Sequence, residues 1–303
     1  MIKTPPYLQK GDTIGIVCPS GYMAYEKAAE CIRVLQEEWG YKVKIGKTLG
    51  GNSSTYFSGT DEERLNDFQQ MLDDDEVKAV LCARGGYGMV RIIDQINFKK
   101  FKKQPKWIIG YSDVTILHSH LYSNYYISSI HAPMAGAFND AGYVNRFVQS
   151  LKNTIEGKKA KYSCDPHEFN KKGEGIGEIV GGNLSLLVNG IDTDSDIKTR
   201  GKILVIEDVG EYLYHIDRML YHMKRSGKLK NLAGLIIGGF TETKDTERPF
   251  GKTAYEIIHD IVKDYGYPIC FGFPVSHEKE NYALKIGVGY KLKVGKSKVI
   301  LEE

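Results

Sequence analysis

Three residues far apart in the chain have the types that acyl transfer needs: Ser112, Glu207 and His277. A serine hydroxyl becomes a nucleophile only beside a base, and the base works best when an acid orients it. Ser112 stands in Gly110-Tyr111-Ser112-Asp113, just beyond the apolar run 107–109 and ahead of a helical pattern over 113–121. A serine at such a strand-to-helix turn is presented at the top of a sheet, where following amides can donate to an oxyanion. Gly110-x-Ser112-x-Val114 matches only half of the G-x-S-x-G elbow, and a helix N-cap is the plainer reading of the serine alone. Glu207 ends the apolar run 203–206, with Asp208 beside it as a rival carboxylate. His277 follows the short extended segment 271–276 and opens a polar loop. The order serine, glutamate, histidine is that of α/β-hydrolases, which does not by itself establish that fold.

A second chemical feature is the glycine-rich turn Cys82-Ala83-Arg84-Gly85-Gly86-Tyr87-Gly88, which leaves an apolar run directly. It is not G-x-G-x-x-G and no Walker lysine follows, so a nucleotide or dinucleotide site has no phosphate loop to rest on. Its open backbone could instead donate to an oxyanion, or be no more than a tight turn. Arg84 beside it has the guanidinium that recognises a free carboxylate, with a structural ion pair as the alternative. His118 and His120 look like a metal pair, but residues two apart on a helix point different ways. No metal site is expected.

The elements that must position these groups alternate short apolar runs with helical patterns, the mark of a parallel α/β layer in the first half. Strands are expected at 13–18, 42–45, 77–82, 107–109 and 126–130, and a helix at 23–38 with Ala28, Ile32 and Leu35 inward. Thr60-Asp61-Glu62-Glu63 reads as a capping box opening a helix that turns Leu65, Phe68 and Leu72 inward. From about 157 to 177 the pattern dissolves into Lys, Gly and polar residues, and Lys171-Lys172-Gly173-Glu174-Gly175-Ile176-Gly177 is the best linker candidate. Short helices and strands follow: helix 183–189, strand 203–207, helix 212–224, strand 235–238 and helix 254–263. The expected division is therefore 1–155, a linker at 156–175, and 176–303, with a cleft between two domains.

Composition narrows the function classes. The net charge of +3 is too small to argue for nucleic acid, and Phe98-Lys99-Lys100-Phe101-Lys102-Lys103-Gln104 reads as a solvated helix end. No apolar run reaches the length of a membrane span, and the N-terminus lacks the apolar stretch of a secretory signal. Five scattered cysteines without C-x-x-C argue against a disulfide framework or a zinc ribbon, so a cytoplasmic protein is expected.

Six strings, taken together and in order, resemble one family. They are Gly59-Thr60-Asp61-Glu62-Glu63-Arg64-Leu65, the Cys82 to Gly88 turn, Gly110-Tyr111-Ser112-Asp113, Val180-Gly181-Gly182-Asn183-Leu184-Ser185-Leu186, Ile206-Glu207-Asp208-Val209-Gly210-Glu211 and Ile216-Asp217-Arg218-Met219-Leu220. The chain resembles the LD-carboxypeptidases, serine peptidases that also include the microcin C self-immunity peptidases. The resemblance implies an α/β fold: a Rossmann-like parallel-sheet N-terminal domain plus a smaller β-rich C-terminal domain, with the active site in the cleft between them. It implies a homodimer, no cofactor, a triad of Ser112, His277 and Glu207, and oxyanion amides at Asp113 and at the Gly85-Gly86 turn. Arg84, with Gly85, stands at that turn and is our own reading of the contact to the substrate carboxylate. The implied substrate is cytosolic murein tetrapeptide, losing its terminal D-alanine in cell-wall recycling. Within the family the rival is hydrolysis of an aminoacyl-nucleotide, which calls for an aromatic platform. Residues 160–180 contain no tryptophan, leaving Tyr162 or Phe169 to stack. A catalytically silent murein-peptide binder is the rival outside it. One departure is Ser276, where the family often has glycine before the histidine.

Overall fold

Strands buried on both faces follow from the near-continuous apolar runs of the first half. In the computed structural model, which describes residues 2–140 and 144–303, the strands β1 (Thr13–Val17), β2 (Lys42–Ile45), β3 (Val77–Cys82), β4 (Trp107–Gly110) and β5 (Ser129–His131) form a parallel sheet in the order 2-1-3-4-5. Its helices are α1 (Tyr25–Arg33), α2 (Asp61–Asp73), α3 (Lys99–Lys103), α4 (Thr115–Tyr125) and α5 (Arg146–Ile155). One face of the sheet packs on Ala28, Trp39, Phe138 and Leu151, the other on Phe68, Leu72, Phe101 and Leu117. The capping box is present at α2: Thr60 Oγ1 accepts from Glu63 N–H, and the Glu63 carboxylate accepts from Thr60 N–H. Phe68 and Leu72 are buried behind it, whereas Leu65 is only half-buried.

The second sheet runs β10-β9-β8-β7-β12-β13-β6. Its strands are β6 (Lys161–Cys164), β7 (Gly173–Asn183), β8 (Ile203–Val209), β9 (Gly234–Thr241), β10 (Ile269–Phe271), β12 (Gly289–Val294) and β13 (Val299–Glu302). β7 to β10 are parallel and are covered by α6 (Leu184–Asn189), α7 (Leu213–Arg225) and α8 (Ala254–Val262). The sheet curls until its edges meet, where Lys171 bridges Ile269 and the reduced Cys164 and Cys270 bring their Sγ atoms to 4.0 Å.

Three expectations are corrected. The fifth strand starts at Ser129 rather than 126, because Tyr126 takes φ +52° and caps α4 in the left-handed conformation. The stretch 156–175 is no linker: it carries β6 and the start of β7. Its alternating glycines are there for close backbone approach, since a Cβ on Gly175 would lie 1.9 Å from Ala233 O and one on Gly177 2.7 Å from Gly201 O. The segment 176–303 is not confined to one sheet either, because β11 (Leu284–Ile286) returns to pair antiparallel with β5.

Candidate active site

The parallel strand order reverses between β1 and β3, and loops leaving their carboxyl ends must diverge there, opening a crevice. Ser112 lies beside it. After β4 the chain turns so sharply that Gly110 is needed: a Cβ there would meet Val114 Cγ2 at 2.9 Å. Ser112 itself has φ +63°, a left-handed conformation that side chains rarely adopt, and a short 3-10 turn (Ser112–Val114) precedes α4. Such strain persists where the surroundings over-determine it, as at nucleophile-bearing turns.

Glu207 lies in the carboxyl-terminal half of β8, wholly buried, at an irregularity in the pairing with β9 between Ile206 and Asp208. Strand alternation sends the two neighbouring carboxylates to opposite faces. Glu207 Oε2 lies 2.6 Å from His277 Nδ1, while Asp208 turns away to accept from Asn183 Nδ2 at 2.9 Å and Ser185 N–H at 3.0 Å. Burial raises the Asp208 pKa to about 6 against the hydrogen bonds from Asn183 and Val209. Of the two acids, Glu207 is the one that reaches His277.

His277 comes from the loop after β10 and completes a hydrogen-bonded chain, with Nε2 2.8 Å from Ser112 Oγ. A carboxylate only accepts, so Nδ1 carries the proton and Nε2 the lone pair that faces the serine hydroxyl. Burial alone would lower the imidazole pKa. The hydrogen bond and charge of Glu207, with Asp208 and Glu242, outweigh it and hold the pKa above the ordinary histidine value. Ser276, the departure noted in the sequence, organises the loop: its Oγ donates to Glu280 O at 3.1 Å and accepts from Glu278 N–H at 3.0 Å.

The glycine turn stands against the serine. A Cβ on Gly85 would come within 2.9 Å of Ser112 Cβ and 3.1 Å of its Oγ, so the backbone of Gly85 can approach the serine only because its side chain is missing. Gly86 has φ +95° and is exposed. Asp113, one residue past the serine, is buried and directs its carboxylate back to the same turn, accepting from Met89 N–H at 2.8 Å. Arg84 is exposed, held by a hydrogen bond from Nη1 to Tyr22 O, and lines a cavity of about 530 Å³ together with Tyr111, His277, Lys27 and Lys279.

Two strings of this sequence are each matched by a family model: the LD-carboxypeptidase N-terminal domain over residues 14–132 and the LD-carboxypeptidase C-terminal domain over 176–292. The chain is also 36% identical over 301 residues to a probable murein peptide carboxypeptidase of Bacillus subtilis, covering 98% of this chain and 94% of that one. The chain belongs to the LD-carboxypeptidase family. It is accordingly an enzyme, a serine-type carboxypeptidase. A muramoyltetrapeptide carboxypeptidase from Oxalobacter formigenes superposes with a TM-score of 0.85 at 26% identity, over 96% of this chain and 98% of that one. The microcin C7 self-immunity protein MccF of Escherichia coli is 24% identical over 329 residues, covering 95% and 93% of the two chains. The Rossmann-like parallel sheet joined to a second sheet domain is thus borne out.

Several neighbours of the site were not legible beforehand. Tyr111 packs its ring 5.0 Å from His277 and 5.6 Å from His131, and burial with the Glu207 charge raises its phenol to about 12. His118 sits between Ser129 Oγ and Gly110 O, each at 2.8 Å, behind the serine turn, while His120 turns to Ser195 Oγ. Among the described residues no three His, Cys, Asp or Glu side chains gather as metal ligands would. The helical pattern over 113–121 signalled where His118 lay but not that it faced the turn.

Proposed function

We propose that this LD-carboxypeptidase hydrolyses the bond to the terminal D-alanine of a murein tetrapeptide, with Ser112 as nucleophile, His277 as base and Glu207 as its orienting acid. The observation that carries the reading is the chain Ser112 Oγ, His277 Nε2 and Nδ1, Glu207 Oε2, with links of 2.8 and 2.6 Å, opening on the Arg84 cavity. The substrate follows the names of the relatives from B. subtilis and O. formigenes. His277 takes the Ser112 proton as Oγ attacks the scissile carbonyl, and Glu207 stabilises the imidazolium that forms. The amides of Asp113 and Gly86 receive the oxyanion, a contribution of about 3–4 kcal/mol for a key donor. His277 then protonates the departing D-alanine amine, and water admitted against the acyl-serine releases the shortened peptide.

A carboxypeptidase must also recognise a free carboxylate, and Arg84 is the group assigned to it, with Gly85 beside it. Lys279, another cation lining the cavity, is engaged by Asp140 at 2.9 Å. Arg84→Lys keeps the charge but loses the planar fork, so KM for the tetrapeptide is expected to rise with kcat little changed. An unaltered KM removes Arg84 from this role. The nucleotide-hydrolase alternative finds no free platform in the expected aromatics: Tyr162 is stacked on Tyr282 and Phe169 on His259. The reading includes a homodimer in the cytoplasm, supported by the family resemblance and testable by sedimentation and fractionation. The decisive assay is D-alanine release by wild type and by Ser112→Ala. Release that survives in the folded variant refutes the nucleophile assignment.

A further inference from the structure

The motif Gly59 to Leu65 takes no part in the serine, histidine and glutamate chain, yet it holds the most deeply buried cation near the site. Arg64, in the first turn of α2, is 0% exposed. A buried guanidinium is costly unless its donors are used. Nη1 donates to Pro19 O at 2.6 Å and to Gly88 O at 3.0 Å, Nη2 to the Asp61 carboxylate, and the guanidinium carbon lies 4.9 Å from the Phe57 ring centre. Pro19 follows β1 and Gly88 ends the turn after β3, so Arg64 clasps the two loops that diverge at the crevice. Gly88 fits this contact and little else would: its φ is +145°, and a Cβ would sit 2.8 Å from Arg64 Nη1.

The same turn is held from its other side by Asp113. Oδ2 accepts from Ser20 Oγ at 2.5 Å and from Met89 N–H at 2.8 Å. The turn is thus gripped between the Arg64 guanidinium on α2 and the Asp113 carboxyl group adjoining the nucleophile. Its Gly85 end meanwhile touches Ser112. We infer that Arg64 is a positioning residue for the oxyanion-binding turn, setting through Gly88 where the Gly86 N–H stands relative to Ser112 Oγ. The inference rests on the reading of Ser112 as nucleophile and Gly86 as oxyanion donor.

The test is the steady-state kinetics of full-length Arg64→Lys with murein tetrapeptide, run with a thermal melt and a pH profile. Lysine cannot bond Pro19 O, Gly88 O and Asp61 in the same plane, so the turn shifts. A displacement of about 1 Å in a reacting geometry costs on the order of 10²-fold. The expected result is that loss in kcat, with KM within about threefold of wild type and the acid limb of the profile unmoved, because His277 and Glu207 are untouched. A folded Arg64→Lys that keeps kcat within about threefold overturns the inference, and so does a kcat loss accompanied by a shifted acid limb. If Arg64→Lys does not fold, Asp61→Asn loosens the guanidinium while leaving it in place. Roughly tenfold lower kcat is then expected on the same geometric grounds, and an unchanged kcat overturns the inference. Full activity in Ser112→Ala sinks the underlying reading and this inference with it, whereas a silent Ser112→Ala beside a fully active Arg64→Lys sinks the inference alone.

Discussion

Glu207→Gln isolates one charge in the site while nearly preserving shape. Glu207 is 0% exposed, and its Oε2 is 2.6 Å from His277 Nδ1. As the base, the imidazole acts in its neutral form, which gains little from the carboxylate's charge. In the transition state it is an imidazolium, and two unit charges about 4 Å apart attract by about 4 kcal/mol at an effective dielectric of about 20. Loss of that term is about three decades in kcat/KM, since a decade is 1.36 kcal/mol. The amide also lets the wrong imidazole tautomer compete, which adds to the loss. The pH profile gives a second, independent readout. Glu207 raises the His277 pKa against burial, so its removal lowers that pKa, and the acid limb of kcat/KM moves to lower pH even as the plateau falls. D-alanine release followed across the pH range measures both effects on one protein, with a thermal melt to establish folding. A folded variant within about tenfold of wild type, or one whose acid limb stays put, refutes the assignment of Glu207 as the orienting acid.

Two further outcomes follow from the same region. Ser112→Gly and Ser112→Ala both lose the hydroxyl, but only glycine relieves the left-handed backbone at φ +63°, so the glycine variant should be more stable by about 1 kcal/mol in urea unfolding; equal midpoints remove the strain. His118 is fully buried and its pKa is pushed down to about 4, with His131 at about 3, against 6.5 when free. Their stabilising contribution is complete above pH 6.5 and is lost as pH falls, because the unfolded chain takes up the protons first. Between pH 7 and 5, His118 alone accounts for about 2 kcal/mol, so the urea midpoint should drop over that range and drop less in His118→Gln. A midpoint that is flat from pH 7 to 5 contradicts the buried neutral histidines.

Where local chemistry decides structure, the sequence was a sufficient guide. The run at 77–82 and the capping box at Thr60 were legible because a buried parallel strand needs a continuous apolar run and a helix start needs its orphan N–H groups satisfied. β7 was misread for a physical reason. Gly173, Gly175 and Gly177 make a segment that looks flexible in isolation, and only the neighbouring backbones at Ala233 and Gly201 show that Gly175 and Gly177 are required by contact. β11 escaped notice likewise, since three residues pairing with a strand more than 150 positions away leave no local pattern.

The site itself shows the same division. The types at Ser112, Glu207 and His277 were visible, but a serine at a strand end, an acid at another and a loop histidine each have ordinary structural explanations. Their meaning lies in one fact of tertiary structure, that strand ends from two different sheets face each other across a crevice. The residues that enforce the encounter are ones to which sequence reading gave no role in holding the two sheets together. Thr115, at the start of α4, accepts from Asn183 N–H at 3.0 Å, and Gly182 permits it because a Cβ there would fall 2.6 Å from the threonine hydroxyl. Asn183 in turn gives its side-chain amide to Asp208, next to Glu207. The helix that begins behind the serine is therefore joined to the strand that carries the acid through two hydrogen bonds. The spacing of 2.8 and 2.6 Å around His277 is a property of that joint as much as of the three side chains it aligns.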